Sequence, residues 1–492
     1  MARRTLVPSV AVALAVVATG CQLLPSEPTP STTLAAEEPD PTTMAVPATT
    51  PTTPAFEPFE GVTVEADGGT TVIDFPSGEC TSVTASPIVV GDLLVWPWHE
   101  RGHGCEGRMV DSAVLVGYSM TTGDVYRLAE GASGEATLTY DASHGVVWWT
   151  TTFGSTARIL DAETFETVAV VDLGVGSDSA GAVVGDHLVF GTVNTPEAGC
   201  QEPVDPACGG VYAVDASGAI QATLDLAAGF RSWIGASVTT DGETLYVGGG
   251  PAHVGSDEPS DTYGCSVVRL DTDLNVLAAA DPGDPGCHRT GAAQNDEDAV
   301  AGEPVLGPDS VWVQFTHATD GRNQATVVRY DRDLVEQCRA EVFGGPIQVA
   351  AYYAAPTVDA EGNAYVPFTL PDGPGGGVVA TILEVTPECE VTTLAEVPGS
   401  RALASPTLAD DDVLFATTGR LDVLTLTGDP VASYPLGSDA EVMASPVVHD
   451  GTVYVLSADG TLTVIEDTGL SGYGDAFWPR YRHDDAGTGR AD

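Results

Sequence analysis

No lysine occurs anywhere in the 492 residues; all 18 basic residues are arginine, set against 70 Asp and Glu for a formal charge of −52. A polyanion is repelled over most of such a surface, which excludes nucleic acid and anionic lipid headgroups as partners. The nine cysteines form no C-x-x-C pair, so a zinc site has no ligand frame, and no two of them are adjacent. Past the N-terminus no apolar run approaches the roughly 20 residues that a membrane-spanning helix needs. No long stretch repeats with helical period, so helices are expected to be scarce. Tryptophan is limited to seven residues.

What is present begins with Arg3 and Arg4 ahead of an uncharged run from Leu6 to Val17, too short to span and suited to a secretion signal. The adjacent arginines permit a twin-arginine route, but the residues after them match it poorly, which leaves the general secretory route as the default. The run ends in Ala18-Thr19-Gly20-Cys21, similar to the bacterial lipoprotein cleavage box in which the cysteine takes the lipid, although Ala18 stands where that box prefers Leu. The expectation is a signal over 1–20 and lipid attachment at Cys21, with simple cleavage as the alternative. Residues 21–60 are dominated by Pro, Thr, Ser, Ala and Glu and read as an extended stalk that cannot bury a core. The chain is thus expected outside the cytoplasm, anchored to the outer face of the cytoplasmic membrane. Eight cysteines remain after Cys21, an even number suited to disulfides in an oxidising compartment. With 43% hydrophobic residues the acidity is not disorder. The acids are spread along the chain, which favours a hydrated surface suited to high salt over one that collects cations.

Self-similarity dominates the rest. Val89-Val90-Gly91-Asp92-Leu93-Leu94-Val95 recurs as Val183-Val184-Gly185-Asp186-His187-Leu188-Val189, with looser copies at 238–247 and 447–455. Each copy is a β-branched run, a Gly-Asp or Asp-Gly turn and a second run, the pattern of a tight hairpin. A second motif follows each hairpin, an apolar strand ending in a polar turn, as in Tyr212-Ala213-Val214-Asp215-Ala216-Ser217-Gly218 and Val268-Arg269-Leu270-Asp271. Two hairpins make a four-stranded antiparallel unit. Units open at Ser86, Thr137, Gly181, Ala236, Glu303, Ala355, Ser405 and Ser445, at spacings of 40 to 67 residues. This predicts an all-β, eight-bladed β-propeller over 61–476, with seven blades as the alternative count and an open solenoid as the alternative architecture. The last unit lacks an outer strand, which Thr71-Val72-Ile73-Asp74-Phe75 could supply from the other end of the chain.

The units resemble the repeats of the PQQ-like β-propeller family, whose blades read as Ser-Pro, hairpin, then a strand and a Thr-Gly turn. The tail over 477–492 adds Trp478-Pro479-Arg480-Tyr481-Arg482-His483-Asp484, with Thr488-Gly489-Arg490, similar to a W-P-x-F-x-H-D…T-G segment near a terminus of many members. The resemblance implies either of two functions: quinone (PQQ)-dependent dehydrogenases of alcohols or sugars, or non-catalytic lipoproteins that scaffold the envelope. The dehydrogenases carry an adjacent Cys-Cys pair and a tryptophan after each blade turn, both lacking here. The expectation is therefore a binding protein without catalytic residues, metal or cofactor, and the dehydrogenase is the alternative.

His99-Glu100-Arg101-Gly102-His103 matches the H-E-x-x-H of zinc peptidases, but Pro97, Gly102, Gly104 and Cys105 argue against a helix there, and a loop is expected. Asp271, Asp273 and Asn275 suggest a calcium loop without its glycine and distal glutamate. In an antiparallel blade, the second-to-third loops and the blade-to-blade connections leave one face. The excursions 97–111, 192–209, 249–264, 316–324 and 369–377 all occupy the second-to-third position and so crowd that face. Trp98, His99, His103, His253 and His317 lie in or beside them, with Arg231 and Trp233 on a connection at the same side. These seven form the candidate binding face, for a protein or a cell-envelope polymer, on a body expected to be monomeric. Proximity pairs Cys200 with Cys208 and Cys265 with Cys287. Cys80 with Cys105 would pin a long loop, and Cys338 with Cys389 would bridge outer strands of adjacent blades.

Overall fold

The computed structural model describes residues 56–76, 82–99, 113–131, 138–151, 156–174, 176–177, 179–192, 210–225, 232–233, 237–248, 250–251, 267–280, 300–319, 322–345, 354–372 and 377–491. Among them there are eight antiparallel blades of at least four strands each and no helix, an eight-bladed β-propeller. Blades 1 to 7 span 88–131, 139–172, 182–225, 238–280, 300–345, 357–398 and 407–435 in chain order. Blade 8 takes three strands from 447–465 and its outer strand, Thr70–Asp74, from the N-terminal end, paired Thr71↔Val464. Glu57–Pro58 and Thr63–Asp67 add fifth strands to blades 1 and 8 and cover two outer edges. Phe56, whose ring meets Tyr126 and Phe165, already packs on the body, a few residues inside the stretch read from sequence as stalk.

Burial explains the residue pattern. Inner strands such as Ile88–Val90 and Ala182–Val184 are wholly buried, and so are second strands such as Val146–Thr150, because blades stack face on face. Both faces then need apolar residues, which produces runs in place of alternation. Outermost strands such as Thr167–Asp172 are mostly exposed and do alternate. The Gly-Asp turns work because Gly91 and Gly185 sit at φ near +60°, open to glycine at no steric cost.

The turns between third and fourth strands share a second device. The Asp215 carboxylate accepts from Ser217 N (2.8 Å), Ser217 Oγ (2.6 Å), Ala219 N (3.0 Å) and Gln221 Nε2 (2.6 Å). Asp161 and Asp331 hold their turns in the same way. The Ser217 hydroxyl, with the other donors, lowers the Asp215 carboxyl to about 2 against the opposing effect of burial. A depressed folded pKa contributes stability that is present above the unfolded value near ~3.9 and is lost as pH falls through the folded one. Stability should therefore decline from about pH 4 to about pH 2, and Asp215→Asn should flatten that slope in pH-dependent urea melts. In blades 1 to 7 a bulge then shifts the register of the outer strand, for example between Ala213 and Val214. The outer strand of blade 8, coming from the other terminus, pairs without one.

The serine that opens a blade, in Ser86-Pro87 and Ser405-Pro406 and without the proline in Ser237-Val238, is a blade-to-blade latch. Ser86 Oγ accepts from Ser445 N (2.9 Å), Ser405 Oγ from Ala355 N (2.6 Å) and Ser237 Oγ from Ala180 N (3.3 Å), each reaching the preceding blade. Threonines reach forward: Thr139 Oγ1 donates to Gly181 O, Thr239 Oγ1 to Pro304 O and Thr407 Oγ1 to Pro446 O. The Ser86–Ser445 bond joins blade 8 to blade 1 and closes the ring. A disulfide between Cys338 and Cys389 bridges blades 5 and 6 as expected, with Cα atoms 5.9 Å apart across 51 residues. Replacing both cysteines with serine should cost about 2–4 kcal/mol, seen as a lower urea midpoint. The other three expected pairs lie outside the described residues.

Two excursions are not loops. Ser310–Thr319 and Arg322–Asp331 stay paired out to Thr319↔Arg322, and Ala364–Asp372 with Gly377–Val385 out to Asp372↔Gly377. Polar residues that read as insertions extend the second and third strands of blades 5 and 6 instead.

Candidate functional site

Each inner strand runs toward its tight turn, so the second-to-third connections and the blade-to-blade links leave from one end of the ring. The tight turns and the Asp turns lie at the other. The two ends of the channel differ in construction.

The tight-turn end is filled by the chain itself. Residues 473–491, which comprise the stretch from 477 expected as a tail and the four residues before it, cross it in bonds to inner strands. Val89 N donates to Asp485 O, Tyr140 N to Ala486 O, Val183 N to Thr488 O, Thr240 N to Gly489 O and Leu408 N to Pro479 O, while Val358 and Trp478 exchange bonds in both directions. Val448 N donates to the Tyr473 hydroxyl (3.4 Å). Blades 1, 2, 3, 4, 6, 7 and 8 are thereby engaged. Blade 5 joins through a buried ion pair, with Arg482 Nη1 2.5 Å from Glu303 Oε2 and Arg482 N 3.0 Å from Glu303 Oε1. Both side chains are 0% exposed.

Arg480 and Arg482 supply donors where the inner strands present carbonyls. Arg480 Nη2 donates to Pro87 O (2.9 Å) in blade 1, while Arg482 donates to Val238 O (2.8 Å) in blade 4 and to Gly181 O in blade 3. Two residues apart, they reach blades on different sides of the ring, so the segment crosses the axis. A charged group so deeply buried costs several kcal/mol unless paired and hydrogen bonded, which these contacts provide. Around Arg480, Asp485 accepts its Nη1 (3.2 Å) and the Tyr473 hydroxyl, and His449 Nδ1 lies 3.4 Å away. Burial pushes the Tyr473 phenol up, and the bond to Asp485 raises the His449 imidazole. Arg482 and His483 adopt φ of +67° and +72°, a strained backbone that these bonds hold. Sequence reasoning missed this site.

The opposite end carries the excursions. Its described base between blades 2 and 3 is made of buried hydroxyls bound to backbone: Ser177 Oγ to Gly191 O (2.6 Å), Thr151 Oγ1 to Thr156 O (2.9 Å), and Gly210 N to Thr192 Oγ1 (2.8 Å). Ser232–Trp233 pairs with Gly250–Pro251 in a small sheet separate from the blades, registered Trp233↔Gly250. This joins the connection between blades 3 and 4 to the root of the blade 4 excursion, so Trp233 meets the segment that leads to His253. Arg231, His103 and His253 themselves lie outside the described residues.

The remaining described candidates, Trp98, His99 and His317, sit in strands. Trp98 is a core residue, 4% exposed, its ring 5.2 Å from Phe59 and packed edge-on. His99 ends the strand Leu93–His99, 3% exposed, its backbone bridged to Ser82. A strand at His99 removes the helical face that H-E-x-x-H requires. His317 lies within a strand, paired with Gln324. Asp271 spends its carboxylate on Asp273 N, Asn275 N and Asn275 Nδ2, as its counterparts do in other blades, so the turn accounts for the Asp-rich string. Ser143, His144 and Asp141 also meet, but Ser143 Oγ (3.0 Å) and Asp141 Oδ2 (2.7 Å) both contact His144 Nδ1. A catalytic relay needs them on opposite ring nitrogens, so this is a turn cap.

Several of the described arginines are committed to structural contacts. Arg269 pairs with Asp333 (2.5 Å), Arg329 with Asp309 (2.7 Å) and Arg339 with Glu336 (2.8 Å), and Arg158 donates to Glu130 O below the Trp149 ring. These side chains tie strands, turns and neighbouring blades together.

The architecture and its self-filled channel define an eight-bladed β-propeller. No protein-family model matches the chain, and no curated protein does. Among solved structures it is similar to the computationally designed Ika8 protein (13% identity, 79% of this chain and 98% of that one, TM-score 0.49). It is also similar to hydrazine synthase of Kuenenia stuttgartiensis (14% identity, 67% and 95%, TM-score 0.41).

Proposed function

We propose that this is an exported lipoprotein of the PQQ-like propeller type, held to the outer face of the cytoplasmic membrane by Cys21 and a stalk, that binds a protein or envelope polymer through its excursion-bearing end. The supporting observation is the asymmetry of the channel. One end is closed by the chain's own C-terminal segment, while the other sends out the excursions from a hydrogen-bonded base and braces one of them with Ser232–Trp233. Rigid scaffolds that project variable segments from one face are the usual geometry of recognition. The formal charge of −52 favours a neutral or cationic ligand over an anionic one.

The test is cosedimentation of the full chain with isolated envelope fragments. Saturable binding is expected, and replacing residues 252–264 with a short Gly-Ser turn should weaken it at least tenfold while leaving the melting temperature within a degree or two. Equal binding by that variant would overturn the assignment of the face. Robust dye reduction with an alcohol or aldose, after addition of the quinone and calcium, would replace the binding role with the dehydrogenase one.

A further inference from the structure

We infer that residues 473–491 are a strap that locks the eight blades into one cooperative unit, so that the ring becomes a rigid body only when the last residues of the chain have docked. A propeller blade otherwise touches only its two neighbours, and stability in such arrays is a sum of nearest-neighbour terms that permits piecemeal opening. Here one short segment contacts every blade: seven through main-chain or hydroxyl hydrogen bonds and the eighth through Arg482 and Glu303. Opening any blade in isolation must break a bond to an element that the other seven also hold. The segment follows blade 8 in the chain and its receptor is assembled from all eight inner strands, so it docks after them. Its strained residues Arg482 and His483 keep their conformation only against that receptor.

Native-state hydrogen exchange on the full chain in sub-denaturing urea tests this. The second strands of blades 2 and 6, Val146–Thr150 and Ala364–Asp372, lie apart in the ring and make no bond to the strap's backbone. In the unmodified protein both should exchange through a common opening with one urea dependence. In Arg482→Gln their urea dependences should separate and exchange should quicken at least tenfold. Because that variant can fail to fold, a protease site at the exposed Gly474-Asp475 allows the strap to be cut in folded protein, with urea raised until the 475–492 fragment elutes apart. Separation of the two blades on release supports the strap. Distinct urea dependences for blades 2 and 6 in the uncut protein would overturn the inference, as would a common opening that survives release of the fragment.

Discussion

Replacing Arg482 with methionine should lower the unfolding free energy by about 3–5 kcal/mol, because it leaves the fully buried Glu303 carboxyl without the guanidinium that pairs with it. It also strips donors from Gly181 O and Val238 O, two inner-strand carbonyls that water does not reach. The double variant Glu303→Leu with Arg482→Met separates the causes. If most of the loss comes from the stranded carboxylate, the double variant regains a large part of it, since an ion pair exchanged for apolar groups of similar volume is often close to neutral. Urea midpoints of the three proteins decide the matter. A loss below about 1 kcal/mol for Arg482→Met would show that the tail's charged contacts contribute little.

Trp478→Ala is expected to cost a similar ~3–5 kcal/mol by a different route, cavity formation. The indole is fully buried in the core shared by blades 5 and 6, near Val358, and its ring lies 5.0 Å from His483. Its backbone also exchanges two hydrogen bonds with Val358. Truncation should therefore both destabilise the protein and quicken exchange of the Val358 amide relative to blade 2. Trp478→Phe, which keeps most of the volume, should restore at least half of the loss. An alanine variant with an unchanged melting temperature would mean that the tail packs on the ring without contributing to it.

Much of this architecture is legible in the residues, for a physical reason in each case. Gly91-Asp92 and Gly185-Asp186 specify tight turns through glycine's access to positive φ, so the hairpins can be placed and counted. The missing outer strand of blade 8 leaves an edge that Thr70–Asp74 fills, and the need to cover that edge points to it. Cys338 and Cys389 follow from placing outer strands of adjacent blades side by side.

The tail is a different case. Trp478-Pro479-Arg480-Tyr481-Arg482 has no strand periodicity, and its partners are main-chain carbonyls distant in sequence, which no local pattern reveals. Buried arginine also runs against expectation, since charged residues are read as solvent-facing. One signal was available. Arg480, Arg482 and Arg490 fall close together beside a tryptophan in a chain of 70 acids and 18 arginines, a concentration of positive charge suited to bonding with buried carbonyls. Trp98-His99 and Thr316–Gln324 were misread because Pro97, Gly102 and the polar run Thr316-His317-Ala318-Thr319 look like loop chemistry. Pairing with neighbouring strands overrides that local preference.

We propose that recognition belongs to the excursion-bearing end, opposite the end crossed by the chain's own C-terminal segment. Hydrogen exchange of the full-length protein with and without bound envelope fragments tests it most directly. Added protection should fall on peptides covering 100–112, 193–209 and 252–266 and on Ser232–Trp233, with the tight turns at Gly91, Gly185 and Gly451 unchanged. Protection concentrated on those turns, or loss of protection in 478–491 on binding, would contradict it.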